Sequence, residues 1–219
     1  MFVYNKKENG VKMKLTIGIT TYNRLKYTKS LIESLSEFLD DEDYQIVIVD
    51  NNSTEKGMVE FLTKASEYSN VELILRKNRS WVNDEYHAKN IIIDKTKSDV
   101  LLFLQDDLQF LWDKKVMEEV TEEFRKIPIP CLEVNAVRNI TLQNRVMSHG
   151  QYAHIEGSDN KFWLTTSNHF QTMGFFKMKI FSQLGRYPVE WPDTQEFWGR
   201  SETYYANLVK ETYPKSVIS

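Results

Sequence analysis

Val100-Leu101-Leu102-Phe103-Leu104-Gln105-Asp106-Asp107 sets an unbroken apolar run against two consecutive carboxylates. A short run rich in Val and Leu, without polar alternation, reads as a strand buried on both faces. Strands of that kind belong to mainly parallel sheets, whose ligands sit at the carboxyl ends of the strands. The two acids therefore stand where a ligand is expected. They form an oxygen-only, doubly charged pair, which suits Mg²⁺ or Mn²⁺ rather than zinc. An Asp-Asp pair is also what a solvated turn contains. Here one carboxylate follows directly on a core strand, and its desolvation needs a partner to offset it.

Outward from this strand the chain alternates. Leu15 to Thr20 reads as a strand and Thr21 to Lys26 as a polar loop. Tyr27 to Leu39 carries Leu31, Leu35 and Phe38 at helical spacing. Gln45 to Asp50 is a second strand ending in an acid, followed by the turn and helix-start signal Asn51-Asn52-Ser53-Thr54. Gly57 to Ser66 predicts a helix, Val71 to Leu75 a strand, Asp84 to Lys95 a helix and Asp113 to Lys126 a charged amphipathic helix. The pattern predicts an α/β fold, a mainly parallel central sheet with helices on both faces. Its strand ends would gather Thr20-Thr21-Tyr22-Asn23-Arg24, Asp50-Asn51-Asn52, Arg76 to Arg79 and Asp106-Asp107.

From Pro128 to Trp163 the pattern is irregular, with short β-like stretches and the histidines His149 and His154. Phe175-Phe176 leads into a short helix from Lys179 to Leu184, ended by Gly185. An aromatic loop, Tyr187 to Trp198, precedes a last helix from about Ser201 to Lys210. With no linker, repeat or low-complexity tract, residues 1–219 read as one domain, with 1–13 as an N-terminal extension.

The net charge of −3 among 219 residues disfavours nucleic acid as a partner. Cys131 is the single cysteine, in an apolar stretch that predicts burial, and fits a reducing, cytoplasmic setting. The N-terminus lacks an apolar run of signal-peptide length. No stretch approaches the roughly 18 apolar residues of a membrane span.

Several residues have both a local and a chemical reading. Asp50 and its neighbours fit a helix N-cap at Ser53 or Asn52, and Asp50 can also accept hydrogen bonds from a nucleobase or ribose. Arg24, Arg76, Lys77, Arg79 and Lys89 can meet phosphates or stay solvated. His87 reads as a partly exposed helix residue, and His169 as a metal or acceptor contact or a loop residue. Glu202 is either a carboxylate favoured by the helix dipole or a general base, with Glu196 and Asp193 as competitors.

In this order the segments resemble those of the inverting family-two glycosyltransferases of the GT-A fold, from about Leu15 to Lys210. Ile19 to Arg24 is similar to the opening strand and loop, and Ile48-Val49-Asp50-Asn51-Asn52-Ser53 to the segment that holds the nucleotide. Ala88-Lys89-Asn90 resembles the helix segment before the metal strand, and Phe103 to Asp107 the metal motif. Phe175 to Gly185 resembles the acceptor-side segment, and Gly199-Arg200-Ser201-Glu202-Thr203 the segment carrying the base. Gln105 stands where the family has its first acid, and Ser201 replaces the first acid of the base motif.

The resemblance implies a sugar moved from a nucleoside-diphosphate sugar, with UDP-sugar favoured, to a saccharide or other hydroxyl acceptor, with inversion. It implies Mn²⁺ or Mg²⁺ on Asp107 and Asp106, and Asp106 on ribose or metal. Nucleotide-sugar contacts would come from Thr20, Tyr22, Arg24, Asp50, Asn52 and Lys89, and the base from Glu202. Residues from about 14 to 110 form the nucleotide-sugar half and those from about 111 to 219 the acceptor half. Competing readings are a non-catalytic sugar or nucleotide-sugar binding module, a glycosyltransferase acting on modified DNA bases, and a nucleotidyltransferase. The last is disfavoured because Thr21 to Lys26 has no glycine. A dinucleotide-binding oxidoreductase is disfavoured by the lack of G-x-G-x-x-G.

Overall fold

The structure is a computed structural model that describes residues 13–79, 84–126, 130–133, 150–153, 162–165, 174–189 and 200–212. Among these, β1 (Leu15–Thr21), β2 (Tyr44–Asp50), β3 (Val71–Leu75) and β4 (Val100–Gln105) pair in parallel. β8 (Gly174–Lys177) runs antiparallel to β4, and β5 (Cys131–Glu133) antiparallel to β8. The six-stranded order is β3-β2-β1-β4-β8-β5, and β6 (Gly150–Ala153) and β7 (Phe162–Thr165) make a separate antiparallel pair.

Strands β1, β2 and β4 are buried on both sides because helices cover both, whereas the edge strand β3 is only partly covered. One core packs α1 (Leu25–Ser34), α2 (Met58–Ala65) and α4 (Lys114–Lys126) on Leu15, Ile17, Ile19, Leu102 and Leu104. The other packs α3 (Asp84–Lys95), α5 (Lys179–Leu184) and α6 (Arg200–Thr212) on Val47, Val49, Leu101 and Phe103. This division follows from connection handedness. The chain steps outward from β1 to β2 to β3, then returns past β1 to β4, so right-handed crossovers put α1 and α2 on one face and α3 on the other. The reversal leaves a switch point between the carboxyl ends of β1 and β4, where such sheets bind ligands.

Two local expectations are corrected. The helix expected over Tyr27 to Leu39 begins at Leu25 and ends at Ser34, with a separate 3₁₀ turn at Ser36–Phe38. It begins early because Glu55 Oε2, from the loop after β2, accepts the Leu25 N–H at 2.9 Å. Neither Asn52 nor Ser53 caps α2, which starts at Met58 behind Gly57 at φ 86°. Ser53 instead gives its N–H to Asp50 Oδ2 at 2.8 Å and its hydroxyl to Asp50 Oδ1, closing a turn at the strand end. Cys131 is buried, as expected. Among the described residues no helix is long and apolar enough to cross a membrane.

Candidate active site at the β1–β4 switch point

Asp106 continues the face of β4 that carries Leu102 and Leu104, so its carboxylate enters the sheet end instead of solvent. It is 6% exposed. Oδ2 accepts the Thr21 hydroxyl at 3.0 Å and the Tyr22 N–H at 3.4 Å, both from the end of β1. Oδ1 faces outward and meets Arg24 Nη1 at 3.2 Å. Burial pushes the Asp106 carboxyl above the ordinary carboxylate value, opposed by the Thr21 hydroxyl, the Arg24 charge and the Tyr22 amide. Asp107, on the next residue and exposed, puts Oδ2 at 3.2 Å from the same Arg24 nitrogen. Two carboxylates from successive residues thus point at one cationic atom.

The neighbouring loops are tied to this point. Asn23, at φ 47°, accepts the N–H groups of Thr54 and Glu55 on Oδ1 at 2.7 and 2.8 Å, and gives its own N–H to Ser53 Oγ at 2.8 Å. The loop after β1 and the loop after β2 are therefore joined by hydrogen bonds. Asn51 donates its N–H to Thr21 O at 2.9 Å, and its Oδ1 accepts Arg76 Nη1 at 2.5 Å. Arg76 also donates to Asp84 Oδ1, and Arg79 Nε to Asp84 Oδ2, each at 3.0 Å. The Arg79 guanidinium lies over the Tyr22 ring, 3.6 Å from its centroid. Beside them, burial and then the Arg76 charge lower the His87 pKa, and the residue is partly exposed as expected.

The structure brings Tyr22, Arg24, Asp106 and Asp107 together, and sets Asp50 beside them through its register with Thr21. Thr20 is half-buried, in register with Val49 and Gln105. Asn52 is exposed, with φ 64°. Asp50 is 1% exposed and engaged by Ser53. Lys89 is 2% exposed, paired with Glu85 at 2.9 Å and ringed by Tyr86, Phe103 and Tyr187. Glu202 lies in α6, but its side chain is outside the described part. His149, His154, His169, Asp193, Glu196, Trp191 and Trp198 lie outside the described residues. Thr21, Asn23 and Asn51, placed at the strand ends by the sequence without a role of their own, carry hydrogen bonds of the site, as does Ser53, expected as a cap. The signal for Thr21 was its parity with Ile17 and Ile19 on β1.

The donor set fits a hard cation. Asp106 Oδ1 and Asp107 Oδ2 converge on a position already filled by positive charge, and both are oxygens. Among the described residues no group of three or more His, Cys, Asp or Glu is assembled. Two protein carboxylates, with the rest supplied by water and phosphate oxygens, is the pattern for Mg²⁺ or Mn²⁺ at a phosphate-binding site.

The chain resembles solved structures over nearly its whole length. It aligns with Staphylococcus aureus TarS residues 1–349 at a TM-score of 0.65 and 14% identity, covering 90% of this chain and 55% of that one. Against the mannosyltransferase PcManGT from Pyrobaculum calidifontis, in complex with GDP-Man and Mn²⁺, the TM-score is 0.64 at 15% identity, over 95% of this chain and 55% of that one. TarS 1–349 in complex with UDP-GlcNAc gives 0.61 at 18%, over 90% and 54%. The chain thus spans about half the length of these structures. A search of curated proteins found no match. The sheet, its switch point and these neighbours make the fold GT-A. The family model for glycosyl transferase family 2 matches residues 16–185, more than half of the chain, and the protein belongs to that family.

Proposed function

We propose that this domain transfers a sugar from a nucleoside-diphosphate sugar to an acceptor hydroxyl, with inversion and with a divalent metal. The observation that carries the reading is the convergence of Asp106 Oδ1 and Asp107 Oδ2 on one cation position at the switch point. A solved neighbour with GDP-Man and Mn²⁺, and another with UDP-GlcNAc, support the substrate class. Asp107 and Asp106 would hold Mn²⁺ or Mg²⁺, which supplies positive charge against the departing diphosphate.

Tyr22, Thr20 and Asn52 line the donor's approach, and Asp50 offers oxygens with lone pairs beyond those Ser53 uses. For Asp50 to take an imide N–H, the Ser53 hydroxyl must turn away, because Asp50 is otherwise closed to the surface. A uracil carrier suits that acceptor. Lys89 acts from within the fold, as a buried charge beneath the donor half. Glu202, at the start of α6, takes the proton of the acceptor hydroxyl. The hydroxyl oxygen bonds to the anomeric carbon while the bond to the diphosphate breaks, and the nucleoside diphosphate leaves. The half from about residue 111 onward would hold the acceptor.

Thermal melts with a panel of nucleoside diphosphates and sugar nucleotides, with and without Mn²⁺, test the reading. A uridine or guanosine diphosphate compound at about 100 times its dissociation constant should add roughly 2.7 kcal/mol in the presence of metal. Stabilisation by adenine nucleotides alone would remove Asp50 from the base, and no stabilisation by any of these nucleotides, with or without metal, would overturn the reading.

A further inference from the structure

Arg24 stands at the N-cap position of α1, but a guanidinium has no acceptor and cannot cap a helix start, and it is Glu55 Oε2 that accepts the Leu25 N–H. Its guanidinium is therefore free of the helix start. It reaches instead across the switch point, where a single nitrogen, Nη1, lies 3.2 Å from both Asp106 Oδ1 and Asp107 Oδ2. The side chain is 53% exposed, against 9% for Asp106 and 33% for Asp107. A buried carboxylate beside a second carboxylate is costly without an opposite charge. A long, half-exposed arginine offsets that cost while keeping a path outward into solvent.

We propose that Arg24 is a built-in placeholder cation, which neutralises the aspartate pair when no metal is bound and gives way when one binds. The inference rests on the reading of Asp106 and Asp107 as metal ligands. Carboxylate oxygens bind Mg²⁺ at about 2.1 Å, so Nη1 cannot keep its place between these two oxygens once they share an ion. An ion pair whose arginine is half exposed to solvent is weak enough to exchange against a doubly charged ion. The displaced guanidinium is a planar, two-pronged donor suited to phosphate oxygens. Arg24 thus opposes metal binding when the site is empty of nucleotide and supports diphosphate binding once the metal is in. By linkage, metal and diphosphate then favour each other through this side chain.

The test uses Mn²⁺ titration without nucleotide, read as loss of the free-Mn²⁺ electron paramagnetic resonance signal, and UDP calorimetry at saturating Mn²⁺. Arg24→Gln should bind Mn²⁺ about two- to fivefold tighter than wild type, the scale set by an ion pair with a half-exposed arginine, yet bind UDP with Mn²⁺ more weakly. Opposite signs from one variant are not produced by mere loss of structure. Arg24→Lys should fall between, and decides the matter should Arg24→Gln fail to fold. Mn²⁺ affinity unchanged or weakened in Arg24→Gln, with wild-type binding still abolished by Asp107→Asn, overturns the placeholder and leaves the metal site standing. Saturable Mn²⁺ binding that Asp107→Asn does not affect overturns the metal reading, and the placeholder with it.

Discussion

The Thr21 hydroxyl donates to a carboxylate that burial pushes toward its protonated form, and Arg24 meets the same group from outside. Both partners favour the ionised form of Asp106 and oppose the effect of burial, which remains the larger influence. The Asp106-Asp107 pair was legible because an apolar run ended on it. Thr21 was less so, since its role depends on which face of β1 it shares. Ser53 was misread as a cap because Asn-Ser before a helix and Asp-x-x-Ser in a turn draw on the same short side chains, and only the distance to Met58 separates them. At this scale the direct functional prediction concerns Glu202. As the proposed base, it would act on the acceptor proton in the transition state, so Glu202→Gln should lower transfer by about 10²- to 10⁴-fold. Donor affinity and melting temperature should stay near wild type. Single-turnover transfer and donor calorimetry check this, and near wild-type transfer removes Glu202 from the role.

Strands β1 to β4 and helices α2, α3 and α4 were read to within a residue or two of their observed ends, because apolar runs mark the strands and apolar periods mark α2 and α4, while α3 has acids at its start and Lys95 at its end. The start of α1 was not, because its cap comes from Glu55 in another loop. Gly18 shows why α3 can lie close on β1. A Cβ there would sit 2.5 Å from Ile92 Cγ2 and 3.3 Å from both Leu101 Cδ1 and Phe103 Cδ1. Gly18→Ala should therefore cost about 1–3 kcal/mol in urea unfolding, and an unchanged midpoint contradicts the close packing.

On β8, Lys177 is 9% exposed and donates to Arg125 O at 3.1 Å, and burial, with the Lys179 charge, lowers its pKa to about 8. The folded state gives up this proton near pH 8 and the unfolded chain near the ordinary 10.5, so between them the unfolded state binds more protons. Stability should rise through that window in wild type relative to Lys177→Met. Denaturant melts across the pH range check the sign, and a parallel course for the two proteins contradicts it.

At the scale of the molecule, alternation of strands and helices predicted the doubly covered sheet, and handedness explains which helices cover which face. The antiparallel placement of β8 between β4 and β5 was not legible, because a four-residue strand, Gly-Phe-Phe-Lys, carries no direction. In the second half the short helix Lys179–Leu184 before Gly185 was legible, whereas the stretches around it have neither a 3.6- nor a 2-residue period to follow. The fold leaves one place where both outward steps of the chain begin, and the carboxylates converge there. Donor turnover at that place is the central claim. Its most direct measurement is release of UDP from UDP-sugars by wild type and Asp107→Asn across a Mn²⁺ titration. Wild type should release UDP in proportion to metal occupancy, and Asp107→Asn should stay at background at every Mn²⁺ concentration that saturates wild type. Equal metal-dependent release by the two proteins would contradict it.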